Sequence, residues 1–262
     1  MNGLIRIGRL VFAVAMMCFG VLYLIYASGI GRPVPGPPWS AGSYAMAWLV
    51  GVGFIAVGIC IVLRVQGQVA ATLLGVVFLL RAFFVYLFGL PTHLHDPSRW
   101  TSGFELVALG GAALVLAGTF PVDPRSPVGL RGGLDKFFEI GRYLFAIGLV
   151  IFGTQHLMYA GFLATDVPTW IPGKLFWAYF VGVAFFAAAL SIATGKMVSL
   201  AATLLGTMFL LWVIILHMPR VVAAPNNGNE WTSEFVALAM GGASFLMASA
   251  FSRNRAGAIR QA

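Results

Sequence analysis

Hydrophobic positions along this chain fall in long unbroken runs, not in the alternation of a strand or the narrow stripe of a water-soluble helix. Eight such runs, at 4–27, 42–64, 68–90, 102–120, 137–163, 174–194, 197–218 and 232–251, have close to the ~20 residues that a helix needs to cross a hydrocarbon core. Short polar segments rich in proline, glycine and charge separate them. The pattern predicts an all-α, polytopic membrane protein with eight transmembrane helices.

The runs repeat. AATLLGVVFLL, Ala70 to Leu80, returns as AATLLGTMFLL, Ala201 to Leu211, with nine of eleven residues identical at a separation of 131. IGRLVFAVAMMCFG, Ile7 to Gly20, matches IGRYLFAIGLVIFG, Ile140 to Gly153, at seven of fourteen positions. The mid-chain copy also argues that the first run is a retained helix and not a cleaved signal peptide. The chain therefore divides into repeat one at 1–120, a linker at 121–136, repeat two at 137–252 and a basic tail at 253–262. Four helices is an even number, so both copies enter from the same side and are expected as parallel repeats. Gly51, Gly53, Gly58, Gly110, Gly111, Gly241 and Gly242 are read as close-packing positions between helices.

Composition agrees: 60% of residues are hydrophobic and 9% charged, against about a quarter charged in soluble domains. The net charge of +8 does not indicate nucleic acid, because the basic residues stand at segment ends and not in a patch. They are topology signals. With the N-terminus inside, Arg6, Arg9, Arg64, Arg125, Arg131, Lys136, Arg142, Lys196, Arg253, Arg255 and Arg260 collect on the inner side, against Arg32, Arg99, Lys174 and Arg220 outside. By the positive-inside rule both termini are expected to be cytoplasmic, in a bacterial-type inner membrane. Trp39, Trp48, Trp100, Trp170, Trp177 and Trp231 fall near outer segment ends, as an interfacial belt would. Cys18 and Cys60 form no CxxC and read as buried apolar thiols.

Candidate chemistry sits at the outer side and where the copies differ. PTHLHDPSRW carries His93, His95 and Asp96, ligand types for zinc or iron at a weak spacing; a solvated loop is the favoured reading, and no metal site is assigned. No phosphate loop, nucleophile elbow or HExxH occurs. Arg81 and His156 lie inside apolar runs, where ionisable residues are costly and mark function or pairing. Aligned by the repeat, Tyr23, Arg81, Tyr86 and Glu105 of copy one stand opposite His156, Trp212, His217 and Val236 of copy two. Arg81 and Glu105, absent together from copy two, are expected to form a structural ion pair. His156, His217 and Glu234, with Trp212 and Trp231 as walls, are expected to form a ligand site in the outer half of copy two. There an imidazole could hydrogen-bond a polar ligand group, or two histidines could ligate haem.

The second copy, with GRYLFAIGLVIFGTQHLMYAGF, VPTWIPGKLFWAYFVGVAF, AATLLGTMFLLWVIILHMPR and NEWTSEFVALAMGG, resembles the four-helix DoxX family and its DoxX-like relatives. Copy one is less close, and the chain looks like a tandem fusion of the family's unit. Its acid after WTS-x-F stands in copy one as Glu105, whereas copy two carries a carboxylate earlier, at Glu234. The resemblance implies a redox-linked, quinone-associated membrane subunit with an electron-transfer partner. The alternatives are a lipid or small-molecule binding or transport protein, and a structural subunit of a membrane complex.

Overall fold

The computed structural model describes residues 2–27, 44–120 and 128–261. Within them the chain is helical, without strands: α1 (Asn2–Ala27), α2 (Tyr44–Leu63), α3 (Gly67–Arg81), α4 (Pro97–Ala117), α5 (Val128–Met158), α6 (Ala160–Asp166), α7 (Lys174–Thr194), α8 (Val198–Trp212), α9 (Met218–Ala223) and α10 (Gly228–Gln261). Among the described residues, eight helices are long and apolar enough to cross a membrane, centred on α1, α2, α3, α4, α5, α7, α8 and α10. Arg32, Trp39 and, within the expected linker, 121–127 with Arg125 lie outside the described residues.

Helix ends differ from the hydropathy boundaries where a local cause overrides hydropathy. α4 starts at Pro97 and not at 102, because the Asp96 carboxylate accepts from the amides of Ser98 (3.0 Å) and Arg99 (3.3 Å) and proline fits the first turn. α5 runs back to Val128, into the segment read as linker; Gly132 and Gly133 each cost about 1 kcal/mol in a helix, which weakens it without breaking it. α10 likewise continues to Gln261 through the basic tail. α7 is bracketed by Gly173 (φ 67°) and Gly195 (φ 71°), left-handed backbone that glycine adopts without a Cβ clash.

Two further departures come as a pair. After Arg81 the third spanning helix changes to a π-helix over Ala82–Leu87, and after Trp212 the corresponding helix does the same over Val213–His217. The tight turns leading into these helices also match: Arg64 and Gln66 take positive φ (61° and 52°), as do Gly195 and Met197 (71° and 53°).

The spanning helices pack in a closed circuit. α1 lies against α2 and α10, α3 against α2 and α4, α4 against α5, α5 against α7, and α8 against α7 and α10; α4 and α10 also meet across the middle. α4 and α10 are the most buried, whereas α2, α3 and α8 turn most of their surface outward. That surface is apolar: Leu49, Leu73 and Leu204 are 68%, 59% and 61% exposed. Water would not tolerate a continuous apolar coat of this size, and lipid requires one.

Lipid tails are as apolar as leucine, so helices in a membrane gain by approaching closely, not by hiding apolar surface from water. Glycine makes this possible at both seams that close the circuit. A methyl group at Gly111 of α4 would lie 2.5 Å from the Gly141 carbonyl oxygen of α5; one at Gly242 of α10 would lie 2.6 Å from the Phe12 amide of α1 and 2.9 Å from the Gly8 carbonyl. Gly53 is a correction to the sequence reading, since nothing lies within 4 Å of a methyl group there. At the other end of the bundle from the candidate site, the buried Arg9 guanidinium stands 4.8 Å over the Phe120 ring, and Arg142 stands 5.4 Å over Phe251.

Candidate functional site

A cavity of about 60 Å³ lies in the half of the bundle that holds the 93–96 loop, with room for several water molecules or a small polar group. Five helices contribute to it. α1 supplies Phe19 and Tyr23, α2 Phe54, α3 and its π segment Phe78, Arg81 and Tyr86, α4 Ser102 and Glu105, and α10 Thr232 and Val236. The aromatic side is a packed layer: Phe54 contacts Tyr23 (5.9 Å, stacked), Phe19 (6.2 Å) and Phe78 (5.7 Å). The polar side holds Tyr23, Arg81, Tyr86 and Glu105, four residues at which copy one differs from copy two.

The π segment explains how Arg81 and Tyr86 reach one cavity. At about 100° per residue, positions five apart on an α-helix point ~140° away from each other. The wider π turn, closed here by the Phe88 amide donating to the Phe83 carbonyl at 2.8 Å, brings i and i+5 back to one face. Arg99 holds the end of this segment, donating to the carbonyls of Val85 (2.9 Å) and Tyr86 (3.0 Å). Within the cavity the Arg81 guanidinium donates to the Tyr23 hydroxyl at 2.8 Å. Arg81 and Glu105 therefore share a cavity, but Glu105 is not among the carboxylates in ion pairs between described residues, which are Glu139, Asp166 and Glu230.

Of the residues expected to form a site in copy two, His156, Trp212 and Trp231 meet partners outside that set. His156 Nδ1 hydrogen-bonds the Phe152 carbonyl at 2.8 Å, one helical turn back, and its ring meets Phe185 edge-on at 5.1 Å. Trp212 packs edge-on against Trp177 at 6.0 Å. Trp231 donates its indole N–H to the Pro225 carbonyl (2.9 Å) and packs on Phe235. His217 Nδ1 is buried without a hydrogen-bond partner, and Glu234, 3% exposed, has one carboxyl oxygen in the same condition. No hydrogen bond or ring contact joins any two of these five among the described residues. Where copy one has Arg81 and open space, copy two has Trp212 in an aromatic cluster.

The HxHD loop serves to start α4. His93 Nδ1 lies 3.0 Å from the Gly89 carbonyl, and Asp96 caps the helix. The Ser98 hydroxyl, and after it the Arg99 amide, hold the Asp96 carboxyl below its usual range. Among the described residues no three His, Cys, Asp or Glu side chains converge as a metal site, and both cysteines are free thiols. Farther along the same end, Arg220 bridges two carboxylates: Nη1 to Asp166 at 2.8 Å, and Nε and Nη2 to Glu230 at 2.9 and 3.1 Å. This triad ties α6, α9 and α10 together.

Sequence reasoning singled out Tyr23, Arg81, Tyr86 and Glu105 by comparing the copies and paired Arg81 with Glu105, but did not bring the two tyrosines to the same place. Ser102 and Thr232 it missed. WTS recurs in both copies, so a difference between copies could not flag them. No family model matches the chain, and neither a curated protein nor a solved structure matches it.

Proposed function

We propose that this integral membrane protein binds a small molecule at the cavity of Tyr23, Arg81, Tyr86 and Glu105. One observation carries the reading: four polar residues that copy two lacks, drawn from three helices, line one cavity. Packing alone does not call for this, because copy two fills the matching region with aromatic rings. Intramembrane ionisable residues facing a cavity are the usual mark of a substrate or ligand path. The second reading, a redox-linked subunit of the DoxX-like kind that holds a quinone, is favoured by the donors: Arg81 and the tyrosine hydroxyls suit a carbonyl oxygen. Organic extraction and the visible spectrum of the purified protein test both. A co-purified small molecule lost in Arg81→Gln supports binding, and a quinone supports the second reading. Absence of any bound or bindable molecule removes both.

The chain in this reading is two parallel four-helix repeats related by an axis along the membrane normal. Matched helix pairings, matched π segments and matched turns support it. The cavity then faces the outer side of a bacterial-type inner membrane, with both termini cytoplasmic. Reporter fusions after Pro35, Val122 and Asn227 should read outside, inside and outside, the first two positions lying beyond the described residues; an inside signal at Asn227 overturns the orientation.

A further inference from the structure

We infer that the cavity selects a neutral, hydroxyl-bearing molecule, an alcohol or phenol with an apolar body, over an anion or a cation. The inference rests on the binding reading above and concerns what the occupant must offer.

Among the described residues, three groups in the cavity wall have hydrogen-bonding capacity that no protein group takes up. Tyr23 is 4% exposed, and its hydroxyl oxygen accepts from Arg81; its own hydrogen has no acceptor among the described residues. The Ser102 hydroxyl takes part in no hydrogen bond there, and the Glu105 carboxyl in no hydrogen bond or ion pair. Both residues are partly buried in α4. In the hydrocarbon layer an unmade hydrogen bond costs far more than at a wet surface, so this set calls for a partner that brings hydrogen-bonding capacity of its own.

The three demands are of both kinds. Tyr23 must donate, a carboxylate must accept, and serine can do either. A single hydroxyl group meets them, because it accepts through oxygen and donates through hydrogen. Charge narrows the choice further. Arg81 and Glu105 line the same cavity with opposite formal charges, so an anionic head group would face the Glu105 carboxylate and a cationic one the Arg81 guanidinium. Each ion would also be drawn to the group of opposite sign, so attraction and repulsion offset and a net charge gains nothing to repay its own desolvation, a cost that a neutral group avoids. The space, about 60 Å³, suits a polar head and not a bulky one, while Phe19, Phe54 and Phe78 offer an apolar wall for the atoms next to it.

The test uses three probes of one chain length, octanol, octanoate and octylammonium, added to the unaltered full-length protein in mild detergent, with binding read by native mass spectrometry. Octanol is expected to bind most tightly. Tyr23→Phe, which removes the hydroxyl, and Glu105→Gln, which replaces the carboxylate by a neutral amide, each keep nearly the natural size and are expected to weaken it roughly five- to tenfold, with thermal unfolding showing that both variants remain folded. Preference for octanoate or octylammonium overturns the neutral-hydroxyl assignment and leaves a binding protein of another specificity. Octanol binding that neither substitution changes places the occupant elsewhere and overturns the assignment too. If no probe binds, the binding reading falls with it. The head-group order is read on the natural chain and does not depend on any variant folding.

Discussion

Gly111→Leu is expected to abolish folded protein in detergent, with Gly242→Leu close behind. Each places a branched side chain where even a methyl group meets backbone: the Gly141 carbonyl at 2.5 Å for Gly111, the Phe12 amide at 2.6 Å for Gly242. Backbone cannot rotate aside as a side chain can, so the helices must separate. Overpacking of a close core costs about 1–3 kcal/mol even where neighbours can adjust, and here the whole helix contact is lost as well. Gly53→Ala is the control. Its methyl group meets nothing within 4 Å, and the change gains up to about 1 kcal/mol of helix propensity. Size-exclusion profiles and thermal unfolding of the three variants decide the matter. Wild-type behaviour of Gly111→Leu would mean that the seam between α4 and α5 does not need close approach.

Arg220→Met is the second large effect, an expected loss of about 1–3 kcal/mol. The reason is what stays behind. Without the guanidinium, Asp166 and Glu230 retain two partly buried negative charges, where Arg220 now meets them at 2.8 and 2.9 Å. Asp166→Asn and Glu230→Gln placed on the Arg220→Met background should therefore recover part of the loss, although each alone destabilises. Strictly additive shifts in unfolding temperature across this set would show that the three do not act as one unit.

The spanning architecture was legible because a membrane imposes a coarse rule: a helix of fixed minimum length with few charges leaves an unmistakable run. Helix ends were less so. Asp96 and Pro97 carry a recognisable start signal, but it lies outside the apolar run that set the boundary at 102. The π segments had no signature, since Ala82–Leu87 and Val213–His217 share little beyond an apolar character.

The candidate site was half legible. Comparing the copies isolated Tyr23, Arg81, Tyr86 and Glu105 as a set, but two sequences that differ do not say which one keeps an open space. Histidine drew attention to copy two because imidazole serves so many chemistries. His156 instead spends its Nδ1 on the Phe152 carbonyl, a bond to its own helix that no spacing rule separates from a ligand bond. Arg81 and Glu105 were expected to meet; they line one cavity, and the Arg81 guanidinium donates to the Tyr23 hydroxyl, a partner that helix rise alone did not single out.

The packing of α1 against α10 also bears on how the molecule is made. A ribosome delivers α1 first and α10 last, so the glycine face of α1 at Gly8 has no partner until nearly the whole chain has been synthesised. α2 can dock on α1 at once, and α4 and α5 can join as soon as both have emerged. Closure of the circuit is thus the most non-local step, and loop-closure entropy makes such steps slow. Until it occurs, the nascent protein is an open arc whose two free edges are α1 and the most recently inserted helix. Those edges are where an insertion chaperone, or a misplaced neighbour, would attach.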